Sequence, residues 1–187
     1  MSNTNKLANV QQILVAGFGG QGVLFAGKLL AEFGLLDGKE VSWLPSYGPA
    51  MRGGTCNCSV CVSDAPIGSP VIAKPDLLIV MNTPSYEKFI GTVKPGGKAF
   101  VDSSVANVTD SAVKPPSDIG YFEIPAQKLA VDNDLVGMAN IILIGKLLKE
   151  TGLATAGTVE KAMREVTVGK EHLFELNMKA LKIGMEY

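Results

Sequence analysis

Residues 13–30 read ILVAGFGGQGVLFAGKLL, and the period of the pattern changes part-way along. Residues 13–16 form an apolar run of strand length, whereas Val23, Leu24, Gly27, Leu30 and Ala31 recur at helical spacing. Between the two, Gly17, Gly19 and Gly22 fit G-x-G-x-x-G, with Gly20 and Gln21 inside the motif. The stretch reads as strand, glycine turn and helix. Such glycines permit a tight turn and bring backbone N–H groups to a helix N-terminus, where an anion is favoured. The bland alternative is that they only let a helix approach a sheet closely.

A dinucleotide site also needs a carboxylate about 20 positions further on, at the end of the second strand. The second strand, over residues 41–44, runs instead into Pro45, Ser46 and Tyr47, and Asp37 and Glu40 precede it. NAD binding is therefore disfavoured. Phe33-Gly34 and Asp37-Gly38 stop the intervening helix, so residues 13–44 form a β-α-β unit, which predicts a parallel pair joined by a right-handed crossover. The loops after both strands are then expected side by side at the carboxyl edge of the sheet.

The alternation continues, with strands over 77–81, 99–101 and 121–124 and a helix over 84–90 behind Thr83 as cap. Residues 126–130 could form one helical turn. Further helices cover 136–148, 158–166 and 171–185, with Met138, Ile141, Ile142, Gly145 and Leu148 on one face of the first, and Leu173, Leu176, Ala180 and Ile183 striping the last. The expected fold class is α/β: one Rossmann-like domain over residues 11–187, a mostly parallel sheet with helices on both faces, preceded by a flexible N-terminus over residues 1–10.

Seventeen basic and eighteen acidic residues leave a net charge of −1, without a basic block, so nucleic acid and anionic membranes are disfavoured as partners. Residues 1–9 are polar with no apolar signal core, and no apolar run approaches a membrane span of about 20 residues; the expected location is cytoplasmic. Only 19% of residues are charged and 47% are hydrophobic, a thin polar allowance that points to burial of surface against another chain.

Residues 45–54, PSYGPAMRGG, place two prolines, three glycines, Tyr47, Met51 and Arg52 in ten positions. The planar fork of Arg52 suits a phosphate or carboxylate, a partner subunit, or an internal tie to backbone carbonyls, and the sequence leaves these open. Residues 55–63 then alternate as a strand, an antiparallel one at a sheet edge, with Cys56, Cys58, Val60 and Val62 on one face and Cys61 on the other. Three cysteines on opposed faces, with the sole histidine far away at position 172, suit neither an iron–sulfur cluster nor zinc. They read as small buried hydrophobes.

Taken together, residues 17–22 (GFGGQG), residues 46–54 (SYGPAMRGG) with Cys58-Ser59-Val60 behind them, Ser69-Pro70, and Met138-Ala139-Asn140 with Gly145 resemble the gamma subunit of 2-oxoacid:ferredoxin oxidoreductases. The resemblance spans about residues 11–150, and beyond that it rests on helical pattern alone. Ala50 stands where the family usually carries an acidic or similar residue.

The resemblance implies a multi-subunit enzyme that oxidatively decarboxylates a 2-oxoacid to acyl-CoA and CO₂, with ferredoxin or flavodoxin as acceptor. Thiamine diphosphate, Mg²⁺ and iron–sulfur clusters would then belong to alpha, beta and, where present, delta subunits, and no cofactor is expected to be held firmly by this chain. The family's short gamma chains are most like those of 2-oxoglutarate enzymes, with pyruvate and branched-chain oxoacid enzymes in competition. No residue here is assigned a catalytic role. The candidate CoA-handling set is Gly17, Gly19, Gly20, Gln21, Gly22 and Arg52. The candidate partner interface is Ser46, Tyr47, Gly48, Met51, Arg52, Gly53 and Gly54. The competing reading is a free-standing nucleotide- or CoA-binding protein that uses residues 17–22.

Overall fold

In the computed structural model, residues 10–46, 55–106, 108 and 111–187 are described. β1 (Val10–Phe18) gives way at the glycine turn to α1 (Val23–Leu36), and β2 (Glu40–Ser46) follows. β3 (Thr55–Ser63), β4 (Leu77–Val80), β5 (Lys98–Asp102) and β6 (Gly120–Ile124) complete one six-stranded sheet in the order β2-β3-β1-β4-β5-β6. β4, β5 and β6 extend parallel to β1, whereas β3 pairs antiparallel with both β1 and β2. The α/β, Rossmann-like expectation holds, with one strand reversed.

Two details correct the sequence reading. β1 and β2 run in the same direction but are not a hydrogen-bonded pair, because β3 lies between them. The edge position belongs to β2, not to β3. Cys56, Cys58, Val60 and Cys61 are all buried, so β3 is covered on both faces and is interior. Pro45 lies within β2, where its missing N–H is tolerated because the outer side of an edge strand needs no ladder partner. β1 also begins at Val10, inside the segment expected to be flexible; residues 1–9 lie outside the described residues.

The pleat divides the core into two layers. Ile13, Val15, Leu77, Ile79 and Phe100 face a thick helical layer, and Leu14, Leu78, Val80, Ala99 and Val101 face a thinner one. The thick layer holds α1, α3 (Ala126–Asp132), α4 (Ala139–Thr151), α5 (Ala156–Val166) and α6 (His172–Glu186). The thin layer holds α2 (Thr83–Phe89) and the 3₁₀ turn Ile90–Thr92, with Ala106 and Val108 beside them. Helices therefore lie on both faces, but very unequally. The cap of α2 is Asn82 rather than Thr83: its side-chain oxygen accepts from Ser85 N at 2.8 Å.

Two helices sit unusually close to their neighbours. On α1, a Cβ at Gly27 would lie 2.4 Å from Cys58 Sγ, and one at Gly34 would lie 2.8 Å from methyl carbons of both Val41 and Val62. This stripe lets α1 lie flat on β2 and β3. α4 and α6 cross at Gly145 and Gly184, where added Cβ atoms would fall 2.1 Å from Leu181 O and 1.9 Å from Ile142 O. The apolar face of α6 is thereby rotated from the expected stripe: Ala180 is buried, but Asn177, Leu181 and Gly184 join it and Leu176 is exposed. Among the described residues no helix is long and apolar enough to cross a membrane.

Candidate functional site at the carboxyl edge of the sheet

The glycine turn leaves the sheet between β1 and β4, where the strand order reverses and where ligands of open α/β sheets bind. Its conformation demands glycine at two positions, with φ of +102° at Gly20 and +75° at Gly22, the residue preceding α1. What fills the turn is a side chain of its own. Gln21 folds back so that Oε1 accepts from Phe18 N at 2.6 Å, while Nε2 donates to Met81 O at 2.7 Å. Asn82 Nδ2 donates to the same Oε1 at 3.3 Å. One carboxamide thus ties the end of β1 to the end of β4 and to the cap of α2.

The motif glycines make room for these struts. A Cβ at Gly17 would sit 2.8 Å from Gln21 Oε1 and 3.2 Å from Met81 Cβ. At Gly22 it would sit 2.4 Å from Asn140 Nδ2, which donates to Gly22 O at 3.1 Å. Asn140 belongs to the first turn of α4, and its Oδ1 is buried without a hydrogen-bond partner among the described residues. Gly20 differs, because nothing lies within 4 Å of its added Cβ. Gly17 and Gly22 therefore serve internal packing, Gly20 faces open space, and Gly19 is half-buried.

Beside Gly20 lies a cavity of about 220 Å³, lined by Gln21, Met81, Asp102, Gln127, Val136 and Gly137 among others. Asp102, absent from the sequence-derived set, ends β5 with its side chain almost wholly buried. Its Oδ1 accepts from Ser104 N at 3.0 Å, and both oxygens accept from Gln127 N, at 3.3 and 3.1 Å, so it closes a turn and caps α3. Burial pushes its carboxyl above the usual range, and the hydrogen bonds from Ser104, Gln127 and Ala126 offset this only in part. The available signal is Asp102-Ser103-Ser104, directly after the strand expected over 99–101.

Ser46 is exposed at the end of β2, opposite Asn57, and Thr55 opens β3 opposite Phe18. The chain thus leaves and re-enters the sheet on the same edge as the glycine turn, one strand away from it. Tyr47, Gly48, Met51, Arg52, Gly53 and Gly54 lie outside the described residues. Cys56 and Cys58 face α1 while Cys61 faces away, so their sulfurs do not converge on a common ligand site. Burial, with Cys56 beside it, pushes the Cys58 thiol up to about 12 despite a hydrogen bond from Trp43, which leaves it a buried hydrophobe rather than a nucleophile. His172 is exposed at the start of α6.

The family model for pyruvate ferredoxin/flavodoxin oxidoreductase matches residues 12–187. The chain belongs to this family. Among its relatives is 2-oxoglutarate synthase subunit KorC of Methanocaldococcus jannaschii, 34% identical over 187 residues, covering 98% of this chain and 97% of the relative. Ketoisovalerate oxidoreductase subunit VorA of Methanothermobacter thermautotrophicus is also 34% identical, over 94% of this chain, but this chain spans only 36% of the length of VorA. The crystal structure of the keto/oxoacid ferredoxin oxidoreductase gamma subunit from Geobacter sulfurreducens matches with a TM-score of 0.77 and 30% identity over 94% of this chain and 96% of that one. The family therefore uses this unit both as a whole short chain and as about a third of a longer one.

Proposed function

We propose that this protein is the gamma subunit of a 2-oxoacid:ferredoxin oxidoreductase acting on 2-oxoglutarate, and that its role is to assemble the catalytic subunits. The single observation behind the reading is the end-to-end match to KorC, a short separate subunit, at 34% identity. The VorA match supports the same view, since a unit that is fused to further chain in one relative and separate in another is expected to sit against that further chain in both. In this reading thiamine diphosphate, Mg²⁺ and iron–sulfur clusters reside in the alpha, beta and, where present, delta subunits, and ferredoxin or flavodoxin takes the electrons.

CoA handling is a secondary role. The residues are compatible with one approach only: Gly20 offers backbone that a ligand can reach, whereas Gln21 already occupies Phe18 N. Bound CoA would supply the acyl-accepting thiol. The contribution of this chain would be to orient the carrier at the sheet edge, with Arg52 as the candidate partner for its phosphates. The test is reconstitution. Co-expression with alpha and beta subunits should yield a complex that reduces ferredoxin with 2-oxoglutarate and CoA, faster than with pyruvate or 2-oxoisovalerate, while the chain alone turns over nothing. A protein that stays monomeric beside those subunits would end the assembly reading.

The exposed backbone at Gly20 favours one competing reading, a free-standing nucleotide- or CoA-binding protein. Calorimetry separates the two: micromolar binding of CoA or NAD by the lone chain, abolished by Gly19→Val, supports the competitor.

A further inference from the structure

The cavity at the carboxyl edge has an acidic group at its floor and an apolar side chain at its mouth. Its floor includes Asp102, whose side chain is 1% exposed, and its mouth includes Val136, which is 74% exposed. Gly137, with φ of +87°, carries the chain away from Val136 toward α4 and leaves no side chain over the opening. The hydrogen bonds to Asp102 come from neutral groups only, the backbone amides of Ser104, Gln127 and Ala126 and the Ser104 hydroxyl, and no Lys or Arg among the described residues pairs with it. A carboxylate so completely buried is almost never left without a counter-charge.

We propose that this cavity receives a single basic side chain, Arg or Lys, from a partner subunit, which pairs with Asp102 while Val136 packs against its stem. The proposal rests on the reading of this chain as a subunit. Three observations select that occupant. The floor is acidic and lacks a cation among the described residues. At the mouth Val136 offers an exposed apolar surface, as suits the aliphatic stem of a long basic side chain. The volume, about 220 Å³, falls below the range of about 300–1,000 Å³ typical of cofactor and ligand sites but holds far more than a water.

The experiment uses the full chain with its alpha and beta partners and compares wild type with Asp102→Asn and Val136→Glu. Asp102→Asn keeps an oxygen for Ser104 N and Gln127 N, and Val136 is exposed, so both variants should fold, as circular dichroism and thermal melting of the lone chain will show. Asp102→Asn is expected to weaken the complex about thirtyfold or more, the low end of what removing one member of a buried interfacial charge pair produces. A photo-crosslinker at Val136 should couple to a partner peptide containing Arg or Lys, and neutralising that residue should have no further effect on Asp102→Asn.

If wild type assembles and Asp102→Asn binds as tightly, the proposal falls while the subunit reading stands. If wild type does not assemble, both fall. A crosslink to a second copy of this chain overturns the proposal. So does a shift in the Asp102 titration of the lone chain on Arg52→Ala, which would identify the cation as internal.

Discussion

The glycines of residues 17–22 and the pair Gly145 and Gly184 both let two parts of the chain touch, but they meet different neighbours. Gly17 and Gly22 face the ends of side chains, Gln21 and Asn140, whose amides can rotate or be shortened. Gly145 and Gly184 face the carbonyls of Leu181 and Ile142, fixed in helical backbone. A recognisable motif thus marks the more forgiving contact, and a pair separated by 39 positions marks the stricter one. The lesson is that the rigidity of the partner, not the fame of the pattern, sets how far a glycine can be changed.

The strongest test of this contrast is Gly184→Ala. Two helices must separate to admit a methyl group whose carbon would otherwise lie 1.9 Å from Ile142 O, so the substitution should cost about 3 kcal/mol or more of unfolding free energy, measured by urea denaturation. A loss below about 1 kcal/mol would show that α6 can slide and would break the comparison.

Gly22→Ala comes next, at about 2 kcal/mol, from its positive φ together with the collision with Asn140. Because that neighbour is a side chain, adding Asn140→Ala should recover part of the loss, with a coupling above about 0.5 kcal/mol. Gly20→Ala sharpens the separation, since it carries backbone strain without collision and should cost only about 1 kcal/mol.

Gln21→Ala removes the hydrogen bonds to Phe18 N and Met81 O, for a loss of about 1–2 kcal/mol. Gln21→Glu should restore only part of it, because a carboxylate accepts from Phe18 N but cannot donate to Met81 O. Hydrogen exchange localised to residues 17–22 and 81–85 distinguishes loosening of the tie from global destabilisation.

The smallest effect is a pH slope from Asp102. Its folded-state pKa is raised by burial from an ordinary value of 3.8, so the folded chain holds this proton more tightly than the unfolded one. The contribution favouring the fold is therefore fully present below about pH 4 and is lost as pH rises through the raised pKa. Subtracting the stability profile of Asp102→Asn from that of wild type should reveal a fall from pH 4 upward. A rise over the same interval would mean that the amide contacts outweigh desolvation.

Much of this was legible because it is local. The switch from strand to helix at Gly17 to Gly22, and the buried faces of β4 and β5, follow from periodicity in adjacent residues. The position of β3 was not legible in the same way. A β-α-β pattern fixes the direction of two strands but not whether a third slips between them, and only the burial of β3 on both faces, with Pro45 at the true edge, decides it. The glycine turn was found as a candidate site, yet its filling by Gln21 depends on Met81 and Asn82, some 60 positions away. Asp102 went unnoticed because a lone Asp after a strand is common, and its burial arises from α3 folding back over the strand end.

By itself, then, the sequence determined the order of strands and helices, the glycine turn at the carboxyl end of β1 and the family pattern, since each depends on neighbours along the chain. Only the tertiary structure decided the strand order, the crossing at Gly145 and Gly184 and the placing of buried Asp102 and exposed Val136 on one cavity. These depend on which distant surfaces are pressed together, and close packing allows only one such arrangement without overlap.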